Sequence, residues 1–501
     1  MKVISLNTVQ TDVVKKNYSL RSYLRALSVG REATPHSWLY EDEETSTTVN
    51  RWIKSLIPVN NNTKFSETFN TFDLRTLGKL GPQGKVPPIE SEEALDVLTP
   101  LYTDSEYNNE LSLQKYFPIT KEFAKELFGN RLNSKTRKPF EKVVDDMRDR
   151  DTLSTNSGYP LFRRRNTVVQ ESIADARSGK AYEFPAIILF RQYRAKLRPV
   201  WMYPMALNLL EYQFSQVIQD SIRTSPISWV RDWVSPWVGY EQVKKILTEQ
   251  YKSHPIIVGG DTTKMDAHMR PAQLRLVYEI VKWLFKQSEW DALYRALMQV
   301  NTIELLIGSN KKAVGIHGLA SGSGWTQLTE TILIMFLAWI HKVTGQGIGD
   351  DFILCTDINS QELVNWLDQF GLPANPDKQT VEKDYTTFLQ RLNHKGFFSR
   401  ESKKMLGGYY STVWALISML QPEKFHNPKQ WDSDMFCVRI YMILENTCDD
   451  PAFPEFVKFV VKGHRDLVPF AKKSASELAS IKSRAQLLPG LSPSYNQEKR
   501  E

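Results

Sequence analysis

The chain has 501 residues, 41% hydrophobic and 11% aromatic, ample for packed cores and enough to exclude a disordered polymer. Lys and Arg total 64 against 57 Asp and Glu, a formal charge of +7 that permits a polyanionic partner without demanding one. Three cysteines, Cys355, Cys437 and Cys448, show no metal-ligand spacing, which excludes a disulfide framework and points to a reducing compartment.

In chain order, residues 1 to about 100 mix short helical patterns with loops. MKVISLNTVQTDVVKKN at the start lacks the continuous apolar run of a signal peptide. The Pro- and Gly-rich LGKLGPQGKVPPIESEE (77–93) reads as a linker. Basic residues then bunch in RLNSKTRKPFEK (131–142), FRRRN (162–166) and RQYRAKLR (191–198). One such cluster is usually a solvated face; three before residue 200 favour an electrostatic footprint for a polyanion. PIIVGGD (255–261) predicts a buried strand ending at Asp261, and a helix follows from Pro271, with Leu274, Val277, Val281 and Leu284 at helical spacing. Residues 320–342 predict a Gly/Ser turn and a helix apolar nearly all round, hence buried. Within it ILIMFLAWI (332–340) is only half of a membrane span, so a soluble intracellular protein is expected. GIGDDFILCTD predicts strand, tight turn and strand, with Asp350 and Asp351 at the turn. NSQELVNWLDQFG (359–371) is a helix with a polar cap and a Gly371 stop. After about 400 the pattern is mainly helical, ending in the polar tail LLPGLSPSYNQEKRE.

Two adjacent carboxylates between strands repel unless something positive lies beside them. Asp is also an ordinary turn residue, so the pair alone leaves hairpin and metal site evenly matched. A third carboxylate on a neighbouring strand would favour metal, and Asp261 is the candidate. Mg²⁺ prefers oxygen ligands and takes one or two carboxylates plus substrate phosphates. Two such ions roughly 3.5–4 Å apart clamp the attacking and leaving oxygens of an in-line phosphoryl displacement.

The surrounding motifs break the tie. STNSGYP (154–160), RAKLRPV (194–200), DTTKMD (261–266), SGSGWTQLTE (321–330), GDD (349–351), FGLPANPDKQ (370–379) and FLQR (388–391) occur in this order. Each is common alone, but the ordered set resembles viral RNA-dependent RNA polymerases of the picornavirus-like supergroup over residues 150 to 400. A picobirnavirus polymerase, from a double-stranded RNA virus, is the best fit and a partitivirus-like one the second.

The resemblance implies an α+β right-hand polymerase with an antiparallel palm sheet. Residues 101–250 and 272–313 would form fingers, 251–271 and 314–398 palm, and 399–501 thumb and tail. Residues 1–100 would bridge fingers to thumb and encircle the hand. The implied activity is template-directed RNA synthesis for replication and transcription of a viral genome, with two Mg²⁺ ions, or Mn²⁺ substituting. Asp261, Asp350 and Asp351 would hold the metals and Lys378 would protonate pyrophosphate. Asp266, Ser321, Thr326 and Glu330 would contact the nucleotide, and Arg191, Arg194, Lys196 and Arg198 its phosphates. Gly158, Tyr159, Pro160, Arg163, Arg164, Arg165, Gly322 and Arg391 would contact RNA.

Glu330 departs from the family pattern, which has Asn there; an ionised carboxylate accepts hydrogen bonds but does not donate. RNA template, product and nucleoside triphosphates are the implied partners, with viral capsid protein, for a monomer without a membrane span in the virion interior and the infected cell's cytoplasm. A reverse transcriptase would share the acids but carry a bulky aromatic where Asp266 stands. A non-catalytic RNA-binding virion protein with this fold is the rival of a different class. The tail after Leu488 could fill the cavity as an initiation platform or hang free.

Overall fold

The computed structural model describes residues 1–485 and 488, apart from 76, 104–109, 151 and 425. The tail beyond Leu488, and the expectation attached to it, lies outside the described residues.

The acids sit on a three-stranded antiparallel sheet in which Asp351–Leu354 is central between Val258–Gly260 and Gly345–Ile348. Phe352, Ile353 and Leu354 are fully buried, so both faces of the central strand are covered. Helix Thr326–Ile340 packs behind it, buried without a break from Leu328 to Ala338, as an all-round apolar helix must be. Gly259 exchanges hydrogen bonds of 2.9 Å in both directions with Thr380, which ties the loop after residue 370 to the sheet edge. The hairpin Tyr385–Phe388 and Arg391–His394 follows, where FLQR predicted one.

A second, mixed sheet has the order Lys2–Ser5, Lys311–Val314, Leu305–Leu306, Ala186–Tyr193, Lys196–Met202. Its long hairpin turns at Arg194 and Ala195, whose φ values of +54° and +57° are left-handed and normally taken by Gly or Asn. Outside contacts hold this turn. Gln83 Oε1 accepts from the Arg194 N–H at 3.1 Å, and the Arg194 guanidinium lies 4.0 Å from the Trp414 ring centre.

Helices Thr412–Leu420, Ser433–Glu445, Phe453–Val461, Leu467–Ala471 and Ala475–Ala485 build a separate core, which Leu39, Val49, Trp52 and Leu56 complete from the N-terminal region. The first hundred residues thus touch both the second sheet and the C-terminal helices. The Lys2–Ser5 strand pairs with Lys311–Val314, while Ser37 N–H donates to Leu420 O at 2.8 Å and Trp52 Nε1 to Thr412 Oγ1 at 3.1 Å.

The 77–93 stretch is not a free linker. Val86 and Arg31 pair as a β-bridge, Gly84 N–H donates to Gln192 O at 3.1 Å, and the buried Gln83 side chain donates to Gln421 O at 2.6 Å. Its backbone polar groups are satisfied by distant segments, so Pro and Gly here shape a wedge between the long hairpin and the C-terminal helices. Among the described residues no helix is long and apolar enough to cross a membrane.

Candidate active site

The acidic turn is built by its neighbours. Gly349 has φ +63°, and its N–H donates to Thr331 Oγ1 at 2.8 Å. A Cβ there would come within 3.1 Å of Glu330 Oε2, so turn and helix meet where only Gly fits without displacement. Asp350, next in the chain, is exposed and its carboxylate has no hydrogen-bond or ion-pair partner among the described residues. Asp351 keeps some exposed surface, but its carboxylate turns inward to accept the Leu389 N–H at 3.0 Å. Burial first, then Asp350, push the Asp351 carboxyl up to about 7, against the Leu389 hydrogen bond; Asp261 adds to the rise.

Asp261 follows directly on the sheet strand. Its backbone is bracketed by Gln379, whose Oε1 accepts the Asp261 N–H at 2.9 Å and whose Nε2 donates to Asp261 O at 2.8 Å. Thr263 N–H donates to Pro373 O at 2.8 Å, so the 370–379 loop braces the whole segment. This brace brings exposed Lys378, in the turn Pro376–Lys378, within electrostatic reach of Asp261. Burial and Asp350 raise the Asp261 carboxyl while Lys378 and Lys196 oppose the rise. The Asp261 carboxylate also lacks a hydrogen-bond or ion-pair partner among the described residues.

Lys264, at φ +50°, turns the chain towards Asp266. The Asp266 side chain is hydrogen-bonded to Glu330 and lies in the fields of Asp350 and Arg198. Burial raises both acids, and Glu330 is driven well above the usual carboxylate range by burial and by the charges of Asp266 and Asp350. Both shifts favour a protonated carboxyl in the pair, and when Glu330 carries the proton it donates to Asp266. A neutral carboxyl both donates and accepts, as an amide does.

The Gly/Ser loop is pinned from two sides. Ser321 Oγ accepts the Trp201 N–H at 3.2 Å, and a Cβ on Gly322 would strike Trp201 O at 1.9 Å. Thr326 Oγ1 donates to Ala320 O at 3.1 Å, closing the turn into the helix.

Of the four phosphate-channel bases, Arg198 and Lys196 point their charge at the acids. Arg191 faces Arg198 across the hairpin, and like charges in register repel. Arg191 is neutralised by Glu423 through bonds of 2.6 and 2.8 Å, and Arg194 donates to Gln390 at 2.6 Å while covering Trp414. These two arginines join the hairpin to the C-terminal half instead of lining the acids.

Tyr159 is buried against Phe184 at 5.4 Å, so of Gly158, Tyr159 and Pro160 the tyrosine side chain serves the core. Arg163 pairs with Glu171 at 3.2 Å, Arg164 is exposed, and Arg165 donates to Asn208 Oδ1 at 2.8 Å. Arg391 is only 6% exposed, donates to Asn446 and lies 4.3 Å from the Tyr240 ring centre, so its guanidinium is engaged within the protein.

Sequence reasoning passed over Gln379, Asn208 and Glu211. Gln379 stands beside Lys378 in a quoted motif. Glu211 is a lone acid in the apolar run LNLLEYQF, the available signal for a buried carboxylate that needs partners.

Among the described residues no group of three or more His, Cys, Asp or Glu converges as a finished metal cage. The donor set nonetheless fits a hard divalent cation, because Asp261 and Asp350 present open, acceptor-only oxygens in each other's fields, and Mg²⁺ takes only one or two protein carboxylates.

No family model matches the chain. Over 481 residues it is 27% identical to a potential RNA-dependent RNA polymerase of a human picobirnavirus, covering 90% of this chain and 86% of that one. The crystal structure of an insertion-loop deletion mutant of a human picobirnavirus RNA-dependent RNA polymerase superposes with a TM-score of 0.80 at 23% identity, over 96% of this chain and 97% of that one. The structure without that deletion gives a TM-score of 0.79 at 23% identity, over 97% and 95%. The chain has the right-hand polymerase fold of fingers, palm and thumb, and in sequence and structure it is picobirnavirus-like.

Proposed function

We propose that the chain is an RNA-directed RNA polymerase that copies a viral RNA template from nucleoside triphosphates, for replication and transcription. The observation that carries the reading is the meeting of two open carboxylates, Asp261 and Asp350, with the cations Lys378 and Lys196 on one side and the Asp266–Glu330 pair with Arg198 on the other.

Asp261 and Asp350 would hold Mg²⁺, or Mn²⁺ in its place, with Asp351 fixed behind them by Leu389. When bound, the metal supplies positive charge for the phosphoryl group and the reacting oxygens. The 3′-hydroxyl gives up its proton to solvent water, and its oxygen bonds to the α-phosphorus as the bond to the pyrophosphate oxygen breaks. Lys378, an exposed ammonium beside Asp261, is placed to give a proton to that leaving oxygen. Lys196 and Arg198 neutralise triphosphate oxygens, Arg198 with a guanidinium fork. With the one O–H of Glu330 given to Asp266, the pair offers acceptor oxygens to the ribose 2′-hydroxyl, which donates to them, and a site built to bond a hydroxyl rejects the sugar lacking it. Ser321, Gly322 and Thr326 shape the loop that faces the base-paired nucleotide, and Arg163 and Arg164 offer template-phosphate contacts, which add affinity without reading sequence. The reading extends to viral capsid protein as a partner and to the virion interior and infected-cell cytoplasm as the places of action of a monomer.

Labelled-nucleotide incorporation on single-stranded RNA with Mg²⁺ tests it. Template-length product from wild type is expected, with Asp350→Ala reduced by at least about a hundredfold. Equal incorporation by both would overturn the site assignment.

A further inference from the structure

Helix Met205–Arg223 runs beneath the site and contributes two buried polar side chains one turn apart, Asn208 and Glu211, 0% and 1% exposed. Every hydrogen bond that the structure gives the Glu211 carboxylate is accepted. Oε1 takes the Ser323 hydroxyl at 2.6 Å; Oε2 takes the Gly324 N–H at 2.7 Å and Asn208 Nδ2 at 3.1 Å. The Ser323 oxygen itself accepts the Trp325 N–H at 3.1 Å, which fixes its proton towards Glu211. Gly324 presses so closely on Tyr212 of the same helix that a Cβ would lie 2.2 Å from the ring. The SGSG loop is therefore seated on this helix as well as on the strand bearing Arg198.

Asn208 is committed in the opposite sense at its other end. Its Oδ1 accepts Arg165 Nη2 at 2.8 Å, while its amide donates to Gly322 O at 3.2 Å as well as to Glu211. Arg165 closes the 154–165 turn: its Nε donates to Asn156 O at 3.3 Å, and Asn156 Oδ1 accepts the Gly158 N–H at 2.8 Å. The helix start joins in, since Met205 N–H donates to Ser157 O at 2.8 Å. Asn208 cannot rotate its amide to suit a change at Glu211 without turning its NH₂ towards the Arg165 guanidinium, which has only donors. A lesion on the nucleotide-side loop is thus forced onto the template-side turn, and the reverse. Buried networks in which each polar atom already has its partners behave this way.

We propose that Asn208 and Glu211 are positioning residues that lock the 321–324 loop and the 154–165 turn into one register, so that template seating and nucleotide seating are coupled. The coupling rests on the polymerase reading given above. It makes Arg165 a structural link of the relay, with Arg163 and Arg164 left for phosphates.

The test is steady-state incorporation and RNA affinity for Glu211→Gln, Arg165→Ala and the double variant of the full chain. Glutamine keeps size but sets an NH₂ against donors. Glu211→Gln should raise both the nucleotide KM and the template Kd by roughly five- to tenfold, the scale of one lost hydrogen bond, with a smaller fall in kcat. The double variant should be little worse than the worse single one, as for members of one network. Ser323→Ala removes one loop-side donor and should raise nucleotide KM even where Glu211→Gln folds poorly. The relay is overturned if Glu211→Gln or Ser323→Ala lowers only Tm and the active fraction while KM and Kd stay at wild-type values, or if the Glu211 and Arg165 effects multiply independently. Absence of incorporation by wild type would instead count against the polymerase reading; multiplied losses of RNA affinity alone would then still overturn the relay.

Discussion

At the scale of single residues, the pair Asp266 and Glu330 decides whether the departure from the family's Asn matters. Burial and two neighbouring negative charges raise the Glu330 carboxyl and so favour its neutral form, which meets Asp266 with a donor. Glu330→Gln should accordingly keep the preference for ribonucleotides over deoxyribonucleotides within about threefold, because an amide supplies the same donor and acceptor. Glu330→Ala should relax it by roughly tenfold, the cost of leaving a buried hydrogen-bonding partner unpaired. The ratio of kcat/KM for matched ribo- and deoxyribonucleotides on one template reads this directly, and a Gln variant as relaxed as Ala would refute the neutral-carboxyl account. The sequence revealed the unusual Glu but not its proton, since a protonation state depends on burial and on charges brought from three segments. The same holds for Arg391: its motif marks a hairpin, but only packing shows its guanidinium turned to Asn446 and Tyr240.

At the scale of elements, the long hairpin Ala186–Met202 reaches across the molecule and is held at its tip by side chains. Arg194 on Trp414, Tyr193 edge-on to the same indole at 5.6 Å, and Arg191 on Glu423 make one joint between the hairpin and the C-terminal helices. A cation over an indole contributes about 0.5–2 kcal/mol, and here it also offsets two left-handed residues. Trp414→Ala should lower Tm by a few degrees and shorten the life of an RNA-bound elongating complex, scored as product length after a competitor trap. Unchanged product length with a lowered Tm would make the joint a matter of stability alone. Local pattern was enough to predict the strand–turn–strand at Gly349, the capped helix Ser360–Asp368 and the buried helix Thr326–Ile340. It failed at 77–93, where Pro and Gly density looks the same for a tether and for a wedge. The difference lies in Gln192 and Gln421, more than a hundred residues away, which satisfy the wedge's polar groups.

At the scale of the whole molecule, two joints rest on buried carboxyls far from each other. Glu211 ties the 321–324 loop to the helix Met205–Arg223, and burial pushes it up to about 7. Asp73 ties the N-terminal region to the segment leading into helix Thr412–Leu420, accepting the Tyr409 hydroxyl at 2.6 Å and Asn60 Nδ2 at 3.2 Å, and burial pushes it up to about 6. In the unfolded chain both return to the ordinary carboxylate range near 4. Between those limits the folded protein holds protons that the unfolded chain has released, so stability falls as pH rises. The contribution is fully present below about pH 4 and is lost as pH climbs through 6 for Asp73 and 7 for Glu211. A shift of this size is worth on the order of a few kcal/mol for one fully buried group. Glutamine does not titrate, so in metal-free buffer the difference in unfolding free energy between wild type and Glu211→Gln should change with pH between about 4.5 and 7 and level off above it. Wild type should lose its relative advantage as pH rises, because ionising a buried carboxyl costs free energy that glutamine never meets. Denaturant unfolding of both proteins across that window measures the difference, and parallel curves would mean that Glu211 is already ionised at pH 5 and that its donors outweigh its burial.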